Sequence, residues 1–131
     1  MLGAGPAAAF GGAVVPEDVP AGTAVVVTTS GSSGVPKSVA ISRSALTSSA
    51  LATASRIGEG AWLLALPATY IAGIQVLVRS LVAGREPAVL AGTFSVGAFT
   101  AAAQGLRSME GGALVPTYTS LVPAQLERLL D

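Results

Sequence analysis

Lys37 is the only lysine of this chain, and it lies in the segment Thr28-Thr29-Ser30-Gly31-Ser32-Ser33-Gly34-Val35-Pro36-Lys37-Ser38. Those residue types suit a polyphosphate. The hydroxyls of Thr29, Ser30, Ser32 and Ser33 are able to donate to phosphate oxygens. Gly31 and Gly34 let backbone N–H groups approach closely. Lys37 brings a point positive charge to β- and γ-phosphate oxygens. A Walker A loop needs Gly-x-x-x-x-Gly-Lys-[Ser/Thr]. The spacing from Gly31 to Lys37-Ser38 fits, but Pro36 stands at the second glycine, where it has no N–H to offer and a fixed φ. The Rossmann pattern Gly-x-Gly-x-x-Gly is absent. An ordinary Gly/Ser turn between two strands is the alternative reading.

The loop needs elements to hold it. The β-branched run Ala24-Val25-Val26-Val27 leads into it as a buried strand through Thr28, and Val39-Ala40-Ile41 leaves it as a short second strand. Ser42 or Ser44 is suited to N-cap a helix carrying Leu46, Ala50, Ala54 and Ile57 at helical spacing, with Gly58 at its C-terminus. Trp62 to Leu66 reads as a buried strand ended by Pro67. Ile71, Ile74, Val78, Leu81 and Val82 form the next helical stripe, closed by Gly84. Pro87–Leu90 and Leu114–Thr117 are further strand candidates. Ser95 caps a helix through about Gln104, and Pro123 opens a terminal helix. Strands alternating with helices predict an α/β fold with a largely parallel sheet and flanking helices. In such sheets ligands sit beyond the carboxyl ends of the strands, and both the glycine loop and the turn at Pro67–Gly73 leave such ends. Residues 1–22, rich in Ala, Gly and Pro, read as an irregular leader, and 23–131 as one partial subdomain.

Composition removes several function classes. With 131 residues, the chain is long enough for one core. It has no His and no Cys, so a Ser-His-Asp triad, thiol chemistry, disulfides and a zinc site are all excluded. Seven basic and seven acidic residues give zero net charge, and no basic patch points to nucleic acid. The stretch 61–78 is uncharged and approaches transmembrane length. Pro67, Thr69, Tyr70 and Gln75 interrupt it, and a buried strand followed by a buried helix is the reading adopted. The N-terminus lacks the positive region of a signal peptide. The chain is 51% hydrophobic and 11% charged, an apolar balance that suggests faces covered by other chain and predicts a homo-oligomer.

The run Thr29-Ser30-Gly31-Ser32-Ser33-Gly34-Val35-Pro36-Lys37 resembles the phosphate-binding signature of the adenylate-forming superfamily of acyl-CoA synthetases, luciferases and peptide-synthetase adenylation domains. Only Ser38 departs, where the family has Gly. Leu66-Pro67-Ala68-Thr69-Tyr70-Ile71-Ala72-Gly73 is similar to the family's next motif, Leu-Pro-x-x-His-x-x-Gly, with Tyr70 in place of His. The flanking segments Trp62–Leu66, Gly73–Leu81 and Tyr118–Leu126 resemble the actinobacterial o-succinylbenzoate–CoA ligases of menaquinone biosynthesis.

The resemblance implies a cytoplasmic, AMP-forming acid–thiol ligase using ATP, Mg²⁺ and CoA on a small-molecule carboxylate. It implies phosphate binding by Thr29, Ser30, Gly31, Ser32, Ser33, Gly34 and Lys37, and an acyl pocket at Tyr70, Gly73, Arg79, Thr119 and Ser120. Each pocket side chain has a plainer alternative. Tyr70 can be read as packing, Arg79 as bonded to backbone carbonyls, and Thr119 and Ser120 as turn and cap residues. The family's magnesium-binding Glu, ribose-binding Asp and catalytic Lys match nothing in this chain. The expectation is therefore an N-terminal portion of such a ligase, inactive by itself, with no catalytic or metal residue assigned. The alternatives are another aryl or fatty acyl-CoA ligase, an adenylation domain, or a non-catalytic subdomain.

Overall fold

A computed structural model describes residues 5–10, 16–30 and 32–131. It is an α/β structure in which a central helix is apolar on two sides. Strand β1 (Ala8–Phe10) runs parallel to β2 (Thr23–Thr29), and β2 turns back antiparallel into β3 (Lys37–Ser42). The sequence assigned no structure before residue 23. Three small or aromatic apolar residues there nevertheless pair in register with Val25–Val27, too short a run to show periodicity.

Helix α1 (Arg43–Ile57) starts where the Ser42 hydroxyl accepts the Ala45 N–H at 3.1 Å, an N-cap worth about 1 kcal/mol. Strand β4 (Ala61–Leu64) is buried along its whole length. It is the middle strand of a parallel sheet ordered β5 (Ala88–Val89), β4, β8 (Thr117–Thr119). A parallel strand covered on both faces reads as a continuous apolar run, as Ala61-Trp62-Leu63-Leu64 does.

Helix α2 (Ile71–Val82) serves two cores. Ile74 and Val78 pack with Val25, Val27, Leu46 and Ala50. Val76, fully buried, packs with Trp62 and Leu64. A helix packed into two cores carries apolar residues on more than one face, in keeping with the uncharged stretch 61–78. No described helix is long and apolar enough to cross a membrane.

Beyond α2 come α3 (Val96–Gly105), capped by Ser95 at 3.2 Å, and α4 (Pro123–Leu130). The expected strand Leu114–Thr117 is corrected here. Ala113–Leu114 is β7 of a hairpin with β6 (Met109–Glu110) around Gly111–Gly112, and β8 begins only at Thr117. Pro116 separates them because it has no N–H for either ladder. Its carbonyl instead accepts the Ala61 N–H at 2.8 Å, opening the β4–β8 pairing.

Candidate functional site

The carboxyl ends of β2 and β4 open on the same cleft, of about 860 Å³. Val27, Thr28, Thr29 and Ser30 form its β2 side, with Pro36 from the loop. Leu66, Thr69, Tyr70 and the first residues of α2, Ile71 and Ala72, form the opposite side, and Val122 joins them from the start of α4. Two motifs about forty residues apart in sequence therefore face one space.

The loop is a hairpin connection. Thr29 pairs with Lys37, so residues 30–36 span the two strands. A phosphotransferase P-loop, which would run straight into a helix, is ruled out. Residues opposite one another on antiparallel strands share a face, so Lys37 stands on the face where Thr29 borders the cleft. Thr29, Ser30, Ser32, Ser33 and Lys37 are exposed, and none of their side chains bonds to another described residue. Gly34 has φ +73°, the left-handed region in which a Cβ is strained. Gly31 lies outside the described residues.

On the other side, Pro67 turns the chain and its carbonyl accepts the Tyr70 N–H at 3.2 Å. Tyr70 is the N-cap of α2, with no side-chain cap bond, and is 63% exposed at the cleft. Gly73 is buried one turn inside α2. A Cβ there would lie 2.3 Å from the Pro67 carbonyl oxygen. Its part is to let the helix close against the turn that carries Tyr70, and it does not border the cleft.

The remaining predicted pocket residues lie away from the cleft. Arg79 places its guanidinium over the Trp62 ring, 5.0 Å from the centroid, and Trp62 in turn meets Tyr118 at 5.2 Å. Partial burial lowers the Arg79 pKa from its usual value, though the group stays charged. Its Nε is buried without a partner; neither the backbone carbonyls nor the cleft engage it. Thr119 donates its hydroxyl to the Leu63 carbonyl at 2.9 Å. Ser120 is half-buried and borders no part of the cleft.

Sequence reasoning gave no site role to several residues that border the cleft, among them Thr28, Leu66, Thr69 and Val122, or to Gln125, and it used Pro36 only to reject a Walker A loop. All six lay inside quoted segments, where attention went to hydroxyls, glycines and the ring. For Val122 and Gln125 the segment marked the place but not the role, which comes from where β8 delivers α4.

The cleft has the donors that phosphate oxygens need. None of the residues that border it is acidic, and among the described residues no group of three His, Cys, Asp or Glu could hold a metal. The polar groups at the cleft are hydroxyls and backbone, with no carboxylate among them.

Comparison with known proteins gives the context. A probable 2-succinylbenzoate–CoA ligase of Mycobacterium tuberculosis is 43% identical over 119 residues, spanning 88% of this chain. The chain is similar to part of that ligase. It spans about 30% of that relative's length. The o-succinylbenzoate–CoA synthetase of Bacillus subtilis in complex with its acyl-adenylate intermediate is similar in structure, with TM-score 0.68 and 31% identity over 82% of this chain and 27% of that one. The same ligase bound to ATP and magnesium gives TM-score 0.66 and 29% identity, over 83% of this chain and 28% of that one. No family model matches the chain.

Proposed function

We propose that this chain provides the polyphosphate loop and one wall of the acyl site of an ATP-dependent acid–CoA ligase acting on 2-succinylbenzoate. The observation that carries the reading is the shared cleft: the hydroxyl loop at the end of β2 and the Tyr70 turn at the end of β4 face one another. Such a ligase first joins the substrate carboxylate to the α-phosphate of ATP, releasing pyrophosphate, and then passes the acyl group to the thiol of CoA, releasing AMP. Negative charge shifts onto the pyrophosphate in the first step. Hydroxyls and a cation held in place around it lower that barrier electrostatically. Lys37 and the hydroxyls of Thr29, Ser30, Ser32 and Ser33 fill that role. Tyr70 offers a ring face to an aromatic acid, and having no imidazole it takes no proton as a base. Magnesium, when bound with ATP, would neutralise phosphate charge, and no carboxylate borders this cleft to hold it.

The test is a chimera. The matching segment of the Mycobacterium tuberculosis relative is replaced by this chain, and 2-succinylbenzoate-dependent exchange of pyrophosphate into ATP is measured. Exchange should persist, and Lys37→Ala should cut it by about 100-fold, the scale of losing one charge-stabilising donor. A Lys37→Ala chimera that exchanges at the parental rate would sink the role of the loop. The 131-residue chain by itself should form no thioester.

We also infer self-association. Val122, Leu126 and Leu130 recur along α4 with 45%, 49% and 78% exposure, an uncovered apolar stripe. Sedimentation velocity should show dimers or larger species that Leu126→Glu disperses.

A further inference from the structure

The end of β4 holds an arrangement that the motifs do not announce. Pairing with β8 stops at Leu63–Thr119, yet the chain beyond is still buried, with Ala65 only 8% exposed. Buried carbonyls there need donors. Three successive ones find them. The Leu63 carbonyl accepts the Thr119 hydroxyl at 2.9 Å, the Leu64 carbonyl accepts the Leu90 N–H at 2.9 Å, and the Ala65 carbonyl accepts Gln125 Nε2–H at 2.8 Å. Two of these donors are side chains of the β8–α4 segment, which continues the work of the strand ladder after the ladder ends.

Gln125 does more than satisfy one carbonyl. Its Oε1 accepts the Val122 N–H at 3.1 Å, an otherwise unpaired group at the start of α4. One side chain thus ties the entry of α4 to the residue that precedes Leu66. Val122 and Leu66 both border the cleft. We propose that Gln125 is a positioning residue: its amide fixes the Val122 wall against the Leu66 wall and so sets the width of the part of the cleft that receives the acid. Gln suits this because its amide donates and accepts at once. Glu would keep the bond to Val122 and lose the one to Ala65.

The acid-binding part of the proposal rests on the ligase reading; the staple does not. Two measurements separate them. In the full chain, by NMR, the Gln125 side-chain amide protons should exchange about five-fold more slowly than those of exposed Gln104, as expected for one added hydrogen bond. Gln125→Ala should also speed exchange of the Val122 amide, while Gln125→Glu, nearly isosteric and so expected to fold, should leave it slow. In the chimeric ligase, both variants should raise the KM for 2-succinylbenzoate about ten-fold and leave the KM for ATP within about two-fold, the scale of losing one hydrogen bond at the acid wall alone. Equal exchange at Gln125 and Gln104 would overturn the staple. A parallel rise in both KM values, or a change in kcat alone, would overturn its effect on the acid. A chimera without activity before any substitution at Gln125 would count against the ligase reading, and the exchange data would still decide the staple.

Discussion

On the β2 side of the cleft, the hydroxyls of Ser30, Ser32 and Ser33 are exposed and bond to no other described residue. On the β4 side, three consecutive carbonyls are each matched to a donor, and Gly73 closes a helix onto the Pro67 turn with no space left over. One wall keeps its hydroxyls free and the other ties its carbonyls down. Free donors are what a polyphosphate requires, since a group already bonded to protein has to break that bond before it can bind a ligand. A fixed wall is what selection by shape requires, because a pocket whose walls drift discriminates poorly. On the proposed reading, the difference gives adaptation to the loop and selection to the turn.

The largest test of this contrast uses two glycines. Gly73→Ala pushes a methyl to 2.3 Å from a backbone oxygen, and α2 has to move off the turn. The cost should be about 3 kcal/mol, read as a fall of roughly 10 °C in the melting temperature, with the Tyr70 turn displaced. Gly34→Ala meets nothing within 4 Å, but holds φ at +73°. The cost there should be about 1 kcal/mol and confined to the loop. Thermal unfolding of both variants checks the ranking. Equal losses would mean that the loop is as tightly built as the turn.

The loop and both strands around it were legible in the sequence, because β-branched runs, a hydroxyl-glycine cluster and a proline each leave a local signature. So were the capping serine Ser95, Ser42 as one of two candidates with Ser44, and the burial of α2. The position of Arg79 on Trp62 and the packing role of Gly73 were not. Both depend on which way α2 rolls between its two cores, and apolar residues on more than one face leave that undetermined. The split of 114–117 into two strands escaped for a related reason: Pro116 breaks a run whose halves find different partners. Gln125 lay in a quoted segment, but nothing there marked its role, which it gains only where β8 stops.

The smallest effect asks whether bonding of polar groups is enough to stiffen a region, or whether burial is needed too. Arg85 and Glu110 form a paired contact, with both guanidinium nitrogens 2.7 Å from the two carboxylate oxygens, between the segment after α2 and the β6 hairpin. These polar groups are bonded, like those at the end of β4, but Glu110 is exposed. The hydrogen bond to Arg85, and then its charge, holds the Glu110 carboxyl below its usual pKa of 4.5. A carboxyl with a depressed folded pKa adds stability that is present above the unfolded value and is lost as pH falls through the folded one. Urea unfolding should therefore show a slight loss of stability below about pH 4.5, and Glu110→Gln should flatten that part of the profile while changing the midpoint at neutral pH very little, as solvent-screened pairs do. If the change at neutral pH instead matched that of Gly34→Ala, bonding without burial would be sufficient. The loop would then owe its freedom to its unbonded hydroxyls alone, whatever its exposure.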